Sequence, residues 1–99
     1  MQGNIKYQFT TSLWQHNGAG GWHFVSLPEE IAAEIRTFFK SMEEGWGRLK
    51  VRAKIANHEW TTAIWYDTKR KTYLLPVKAS IRITAQLTTG DVITVVIWV

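Results

Sequence analysis

The 99-residue chain contains no cysteine, only two prolines and no long apolar run. Without cysteine it has no disulfide framework, no thiolate nucleophile and no cysteine-type zinc site. The longest apolar stretch, residues 95–99, is far too short to span a bilayer. The first residues show neither the basic nor the apolar segment of a signal peptide. We therefore expect a cytoplasmic protein that does not enter a membrane.

The composition is that of one small globular domain. Hydrophobic residues make up 45% of the chain and charged residues 20%, which is close to ordinary globular usage and sufficient for a core. No linker or low-complexity tract divides the sequence. We predict a single domain over residues 1–99.

Positive charge is concentrated in the second half of the chain. The net charge is +4, and residues 48–99 contain nine Lys or Arg against three Asp or Glu, whereas residues 1–47 contain three against five. A basic half is typical of domains that bind a polyanion such as nucleic acid. A solvated surface on a small domain has the same composition, so charge alone leaves both interpretations open.

Alternating apolar and polar residues predict strands over residues 5–13, 22–27, 48–55, 59–66, 72–75 and 91–99. Apolar residues at helical spacing follow Pro28 and predict a helix over residues 28–42, because proline fits the first turn of a helix. A second, shorter helix is predicted over residues 78–85. We expect a hairpin turn at Asn57-His58 between the third and fourth strands.

The two halves of the chain repeat the same order of features. Each has a strand, a Leu-Pro pair, a helix, a glycine and a further strand, and the pairs Leu27-Pro28 and Leu75-Pro76 are 48 residues apart. We predict a mainly β fold with two helices, a small split β-barrel with an internal pseudo-two-fold repeat. Strand 91–99 hardly alternates, so barrel closure or a second copy must cover it. We expect a monomer, with a homodimer through this strand as the alternative.

Residues 73–82 (YLLPVKASIR) and 90–92 (GDV) resemble an uncharacterised bacterial domain family, the domain of unknown function numbered nineteen-oh-five. Residues 27–31 (LPEEI) and 49–53 (LKVRA) also fit its pattern. The resemblance covers nearly the whole chain and implies a small cytoplasmic split barrel with no established activity. The second-half string also resembles, more distantly, the DNA-binding domains of AbrB/MazE-type regulators, but likeness of fold does not carry function with it.

The sequence contains no recognisable catalytic or metal-binding motif. His16, His23 and His58 lack the spacing of a metal-binding pair, and no nucleophile motif or phosphate-binding loop is present. We therefore expect no enzyme, no metal and no cofactor, and we predict a non-enzymatic binding module whose favoured partner is nucleic acid.

The candidate site is a strand face rich in cations. Arg or Lys occupies every second position of residues 48–54, and the expected turn places Trp65 opposite Lys50 on the same face. Cations about 7 Å apart beside an exposed indole suit a phosphate backbone and a stacked base. A solvated edge with a cation–π contact uses the same residues. The predicted nucleic-acid-binding residues are Lys50, Arg52, Lys54, Trp65, Lys78 and Arg82.

The six tryptophans support an alternative function. Aromatic residues in strands usually pack in the core, so we expect Trp22, Trp60 and Trp98 to be buried. A tryptophan-rich interior, or the apolar last strand, is suited to a small-ligand or protein-interaction barrel. A steep dependence of binding on salt would favour nucleic acid over this alternative.

Overall fold

The computed structural model describes residues 4–18 and 20–99. Its elements in chain order are β1 (Lys6–Gln15), β2 (His23–Ser26), α1 (Glu29–Phe39), β3 (Arg48–Ile55), β4 (His58–Asp67), β5 (Thr72–Pro76), α2 (Ala79–Thr84) and β6 (Val92–Trp98). Two short 3-10 turns, Lys40–Met42 and Gly45–Gly47, connect α1 to β3. The mainly β fold with two helices is confirmed. Neither helix of the described ranges is long and apolar enough to cross a membrane.

The six strands form one closed antiparallel barrel in the order β1-β2-β5-β4-β3-β6. Exchanging β1 with β4, β2 with β5 and β3 with β6 leaves every neighbour relation in this order unchanged. At the centre of the exchange, β2 and β5 pair with each other, with Val25 opposite Leu75. The strand order therefore has the predicted pseudo-two-fold relation between the two halves of the chain.

Every second side chain along a strand points into the barrel. On β3, Leu49, Val51, Ala53 and Ile55 are buried, while the residues between them face outward. Aliphatic and aromatic side chains from the six strands fill the interior, and the helices pack against them through Ala32 and Ile35 of α1 and Ile81 of α2. The interior of the barrel is thus a packed core.

The first helix is shorter than the predicted span of 28–42. Pro28 is its N-cap residue, and two glutamates occupy its first turn. Their negative charges interact favourably with the positive end of the helix dipole. The helix ends at Phe39, whose backbone has left the helical region (φ −121°, ψ 3°), and the next three residues tighten into the 3-10 turn.

The hairpin turn lies one residue earlier than predicted. Ala56 and Asn57 form it, and His58 already pairs with Ile55 as the first residue of β4. Trp65 therefore faces Arg48 rather than Lys50. The register differs from the predicted one by two residues, so every side chain keeps its predicted face. The observed register also places the large indole of Trp60 opposite the small Ala53, which gives it room inside the barrel.

The last strand closes the barrel. Its neighbours are β1 on one edge and β3 on the other, so residues 95–98 are paired on both edges, while residues 92–94 are paired with β1 alone. Ile93, Val95 and Ile97 are buried, whereas Val92 and Thr94 are exposed. The apolar sequence of this strand thus corresponds to burial on one face and not on both.

Candidate functional site

The cations of β3 lie on the outer face of the barrel, as predicted, but they have partners there. Nε of Arg52 lies 3.3 Å from Oε2 of Glu59, and its guanidinium lies 4.4 Å from the centre of the Trp98 ring. Nζ of Lys50 lies 3.9 Å from Oε2 of Glu44. We call Lys50, Arg52 and Lys54 the β3 stripe. Because Lys50 and Arg52 have acidic partners while Lys54 forms no ion pair with a described residue, the β3 stripe keeps a smaller net positive charge than its three cations suggest.

Four aromatic side chains form a cluster on the outside of the neighbouring strands. Trp22 stacks on Phe24 with 6.0 Å between ring centres, and Trp65 lies 5.7 Å from Trp22 and 6.2 Å from Phe24. Trp14 joins them through Phe24 at 5.2 Å. We call Trp14, Trp22, Phe24 and Trp65 the outer aromatic cluster. It covers part of the barrel wall, with Phe24 buried at its centre at 6% exposure, and none of its members belongs to the core cluster inside the barrel.

Two of the three tryptophans predicted to be buried are not in the core. Trp60 is inside the barrel with 9% of its surface exposed, as predicted, but Trp22 is 48% exposed. Trp98 alternates with the buried Ile97 and so lies on the outer face, where Arg52 covers it. Residue type predicts burial, but the position of each residue in the alternation decides it.

An opening in the barrel wall lies along the first part of β4. This strand pairs with β3 from His58 to Trp65, but with β5 only from Trp65 to Asp67. Next to its remaining edge, the end of β5 and the start of α2 leave a cleft of about 410 Å³. Residues that line this β4–α2 cleft include Trp22, Trp60, Thr62, Trp65, Lys78 and Arg82.

The β4–α2 cleft carries positive charge that no acidic side chain offsets. No Asp or Glu lines it, and neither Lys78 nor Arg82 forms an ion pair with another described residue. Nε of Arg82 donates a hydrogen bond to the carbonyl oxygen of Val77 at 3.2 Å. That bond holds the guanidinium at the cleft wall, one helical turn from the lysine.

The structure brings together three of the six predicted site residues. Trp65, Lys78 and Arg82 line the β4–α2 cleft, whereas the residues of the β3 stripe do not. The indole predicted to be exposed is instead half-buried, because the outer aromatic cluster packs against it. Its Nε1 is buried and has no hydrogen-bond partner among the described residues. No local pattern predicts this packing, since Trp22 comes from a different segment.

A second depression lies further along β4 and shares Trp65 with the cleft. This groove, of about 530 Å³, is also lined by Trp46, Arg48, Lys69 and Leu74, and we call it the Trp46 groove. Trp46 is 98% exposed, and the sequence analysis missed it. The available signal was its place between two glycines, outside any strand or helix pattern that would bury it.

A third and smaller depression, of about 220 Å³, again includes Trp65 together with Trp14 and Arg70. The guanidinium of Arg70 lies 4.5 Å from the centre of the Trp14 ring, so this indole face is already covered by a cation. Trp65 therefore lies where three depressions of the surface meet, and among the described residues the β4–α2 cleft is the one of the three with no acidic residue in its lining.

The histidines form no metal site in the described part of the chain, where no three His, Asp or Glu side chains are grouped as ligands. His23 borders the β4–α2 cleft. Its Nδ1 donates to the carbonyl oxygen of Gly21 at 2.7 Å, which orders the turn that carries Trp22.

Comparison with known proteins gives a family and no function. A family model described as Domain of unknown function (DUF1905) matches residues 9–97, nearly the whole chain, and confirms the resemblance read from residues 73–82. No curated protein matches the chain.

Proposed function

The chain belongs to the DUF1905 family, whose description assigns no activity, and from its own surface we propose that it is a non-enzymatic module that binds single-stranded nucleic acid. The observation that supports this most directly is the β4–α2 cleft, where three indoles from two segments meet Lys78 and Arg82 with no acidic residue among the described lining residues. Aromatic faces and cations together are what single-strand-binding surfaces use.

The cations and the indoles that line the cleft have different roles in binding a strand. Lys78 and Arg82 neutralise phosphate, which releases counterions from the strand. Trp65 and Trp22 offer π faces to an unpaired base, and base–aromatic stacking tolerates any sequence. A duplex binds more weakly here, because its bases already stack on each other.

A small anionic ligand with a planar ring is the second candidate. The cleft volume of about 410 Å³ lies within the usual range of small-molecule sites. Such a ligand would bind the outside of the barrel wall, because apolar side chains fill the interior. This candidate therefore differs from the interior ligand site that the tryptophan count favours.

We propose that the module acts as a monomer in the cytoplasm. Support for the monomer is that β6 pairs with a strand on each of its edges over residues 95–98, so strand addition by a second copy has no unpaired position along that stretch. The absence of cysteine from the sequence agrees with a reducing compartment.

Binding of a labelled mixed-sequence single strand and of the matching duplex, each at low and moderate salt, tests the proposal. We expect tighter binding of the single strand, with an affinity that falls as salt rises by about 0.7 logarithmic units per logarithmic unit of salt for each phosphate neutralised. Trp65→Ala should weaken single-strand binding by about 5- to 100-fold. Trp65→Phe keeps a stacking face and should retain most of the affinity.

Trp98→Ala is the matched control, because Trp98 is also an outer-face indole but lies under Arg52, outside the cleft. It should leave strand affinity unchanged. No binding of either nucleic acid at low salt would contradict the proposal. Binding of a free nucleotide but of no strand would establish the second candidate instead.

A further inference from the structure

We propose that Trp46 is a second stacking platform for the strand held in the β4–α2 cleft, so that consecutive nucleotides lie on either side of Trp65. This inference rests on the proposed function and extends it to a specific path. One nucleotide occupies the cleft, and the following base stacks on Trp46. Arg48 and Lys69, which line the Trp46 groove, neutralise the phosphate between the two.

Two unfavourable features coincide at Trp46. Its side chain is 98% exposed, so a large and mainly apolar indole is in contact with water. Its backbone is left-handed, with φ 71° and ψ 28°, a region that a residue with a β-carbon rarely adopts. Strain of this kind persists where the surroundings impose it, and it concentrates at functional positions.

The loop is fixed on the side that enters β3. Glu44 and Arg48 exchange backbone hydrogen bonds, from Glu44 N to Arg48 O at 2.6 Å and from Arg48 N to Glu44 O at 3.2 Å. Gly47 has φ 73°, and a β-carbon there would lie 3.0 Å from Cβ of Tyr66. The chain that follows Trp46 is therefore closed tightly against the barrel.

A buried network fixes the other side of the loop. The Glu43 carboxylate is 8% exposed and accepts hydrogen bonds from Nη1 of Arg36, at 3.3 Å, and from the hydroxyl of Tyr73. Burial and the Glu43 carboxylate both raise the pKa of Tyr73 well above its ordinary value, so the hydroxyl stays protonated and donates. The Arg36 guanidinium lies 3.8 Å from the centre of the Tyr66 ring. Anchored in this way, the indole loses little freedom when a base stacks on it.

The charge of the Trp46 groove suits a phosphate. Arg48 and Lys69 border it, and its one acidic lining residue among those described is Asp67. That carboxylate is already engaged, since it accepts hydrogen bonds from Nη1 of Arg70 at 2.8 Å and from the backbone N–H of Lys69 at 2.9 Å. The groove is therefore left with a positive excess.

Continuity with the cleft identifies the occupant. Trp65 lines both depressions, and it lies directly opposite Arg48 in the sheet. A strand that leaves the cleft across Trp65 therefore reaches Arg48 and then the exposed indole. A continuous chain of bases and phosphates matches this alternation of rings and cations.

Thymidine nucleotides of increasing length, from the mononucleotide to an oligothymidylate of about ten nucleotides, test the inference. Trp46→Ala should leave binding of the mononucleotide unchanged and weaken binding of the dinucleotide and of longer strands by about tenfold. Alanine keeps a β-carbon in the same backbone conformation, so the substitution removes the indole alone. Since that indole is solvent-exposed, the thermal unfolding temperature should stay at the wild-type value.

Phe38→Ala is the matched control, because Phe38 is a 69% exposed aromatic residue that lines neither depression. Equal affinities of Trp46→Ala and Phe38→Ala at every length would overturn the inference while strand binding by the wild type upheld the proposed function. A wild type that binds no strand would overturn both. Acrylamide quenching of Trp46 fluorescence is compared with and without a bound strand. If quenching is equal, the strand does not cover the indole, the groove serves another occupant such as a protein segment, and the inference is wrong.

Discussion

The β3 stripe and the β4–α2 cleft differ in how their positive charges are accompanied. The β3 stripe has three cations in regular spacing, but Arg52 lies 3.3 Å from a Glu59 oxygen and Lys50 lies 3.9 Å from a Glu44 oxygen. The cleft has two cations and no acidic lining residue. A cation that already has an anionic partner gains less from a phosphate, so the smaller set makes the better candidate.

The origin of the partners explains the difference. Glu44 precedes β3, Glu59 lies on β4, and Trp98, which stacks against Arg52, lies on β6. The Glu44–Arg48 bridge and the β3–β4 hairpin place the two glutamates beside the β3 stripe, and barrel closure brings Trp98 there. The cations of the cleft come from the start of α2. It lies beside the stretch of β4 that does not pair with β5 and that carries two threonines and Trp60.

The largest expected effect compares the two regions directly. The double variant Lys78→Ala, Arg82→Ala should lower single-strand affinity at low salt by about 30-fold and reduce the salt slope by about 1.4, since two phosphate contacts are lost. The double variant Lys50→Ala, Arg52→Ala removes the same formal charge and should cost less than about threefold. Equilibrium titration at several salt concentrations measures both.

Arg82→Lys separates charge from geometry in this comparison. It keeps the cation but loses the Nε hydrogen bond to the Val77 carbonyl oxygen, so it should retain the salt slope while affinity falls modestly. Equal losses in the two double variants would show that the regions act alike and that net charge alone controls binding.

Local pattern predicted much of the fold. Alternation along residues 48–55 specifies which side chains face the core, because the period of a strand is two residues whatever its partner. The two Leu-Pro pairs predicted the pseudo-two-fold order for a similar reason, since each marks where a strand gives way to a helix. The same patterns placed Trp65 on the outer face even though the hairpin register was shifted.

The site was less predictable, because it depends on contacts between distant segments. No local pattern states that β4 pairs with β5 over only three residues and so leaves a cleft beside α2. Nor does one state that Trp22 packs against Trp65, or that Glu44 reaches Lys50. The sequence thus supplied Trp65, Lys78 and Arg82 as candidates, and tertiary structure decided which cations accompany them.

A smaller effect should follow from uncovering the β3 stripe. Glu59→Gln removes the charge beside Arg52 while keeping the shape of the side chain. We expect affinity for single strands and duplexes alike to rise about threefold at low salt, with the gain lost at moderate salt, because exposed charges are readily screened. Glu30→Gln, on the exposed first turn of α1, controls for the change in net charge and should have no such effect. If Glu59→Gln leaves the affinity for nucleic acid unchanged, the Arg52–Glu59 ion pair is not what keeps the β3 stripe from binding nucleic acid.

The smallest effect concerns the acidic residue of the Trp46 groove. Burial raises the pKa of Asp67, but hydrogen bonds from the Arg70 side chain and from the backbone N–H groups of Arg70 and Lys69 outweigh it, so the pKa lies below its ordinary value. A carboxyl with a lowered folded pKa stabilises the fold at a pH above its unfolded pKa, about 3.9, and loses that contribution as the pH falls through the folded value. Asp67→Asn should therefore lower the free energy of unfolding by about 0.5 kcal/mol at neutral pH, and the difference from wild type should vanish in acid. Urea unfolding at neutral pH and near pH 3 measures this. If the difference in unfolding free energy is as large in acid as at neutral pH, Asp67 acts through its shape and not through its charge. The Trp46 groove would then not contain a charge-paired carboxylate, which is the feature that distinguishes it from the β4–α2 cleft.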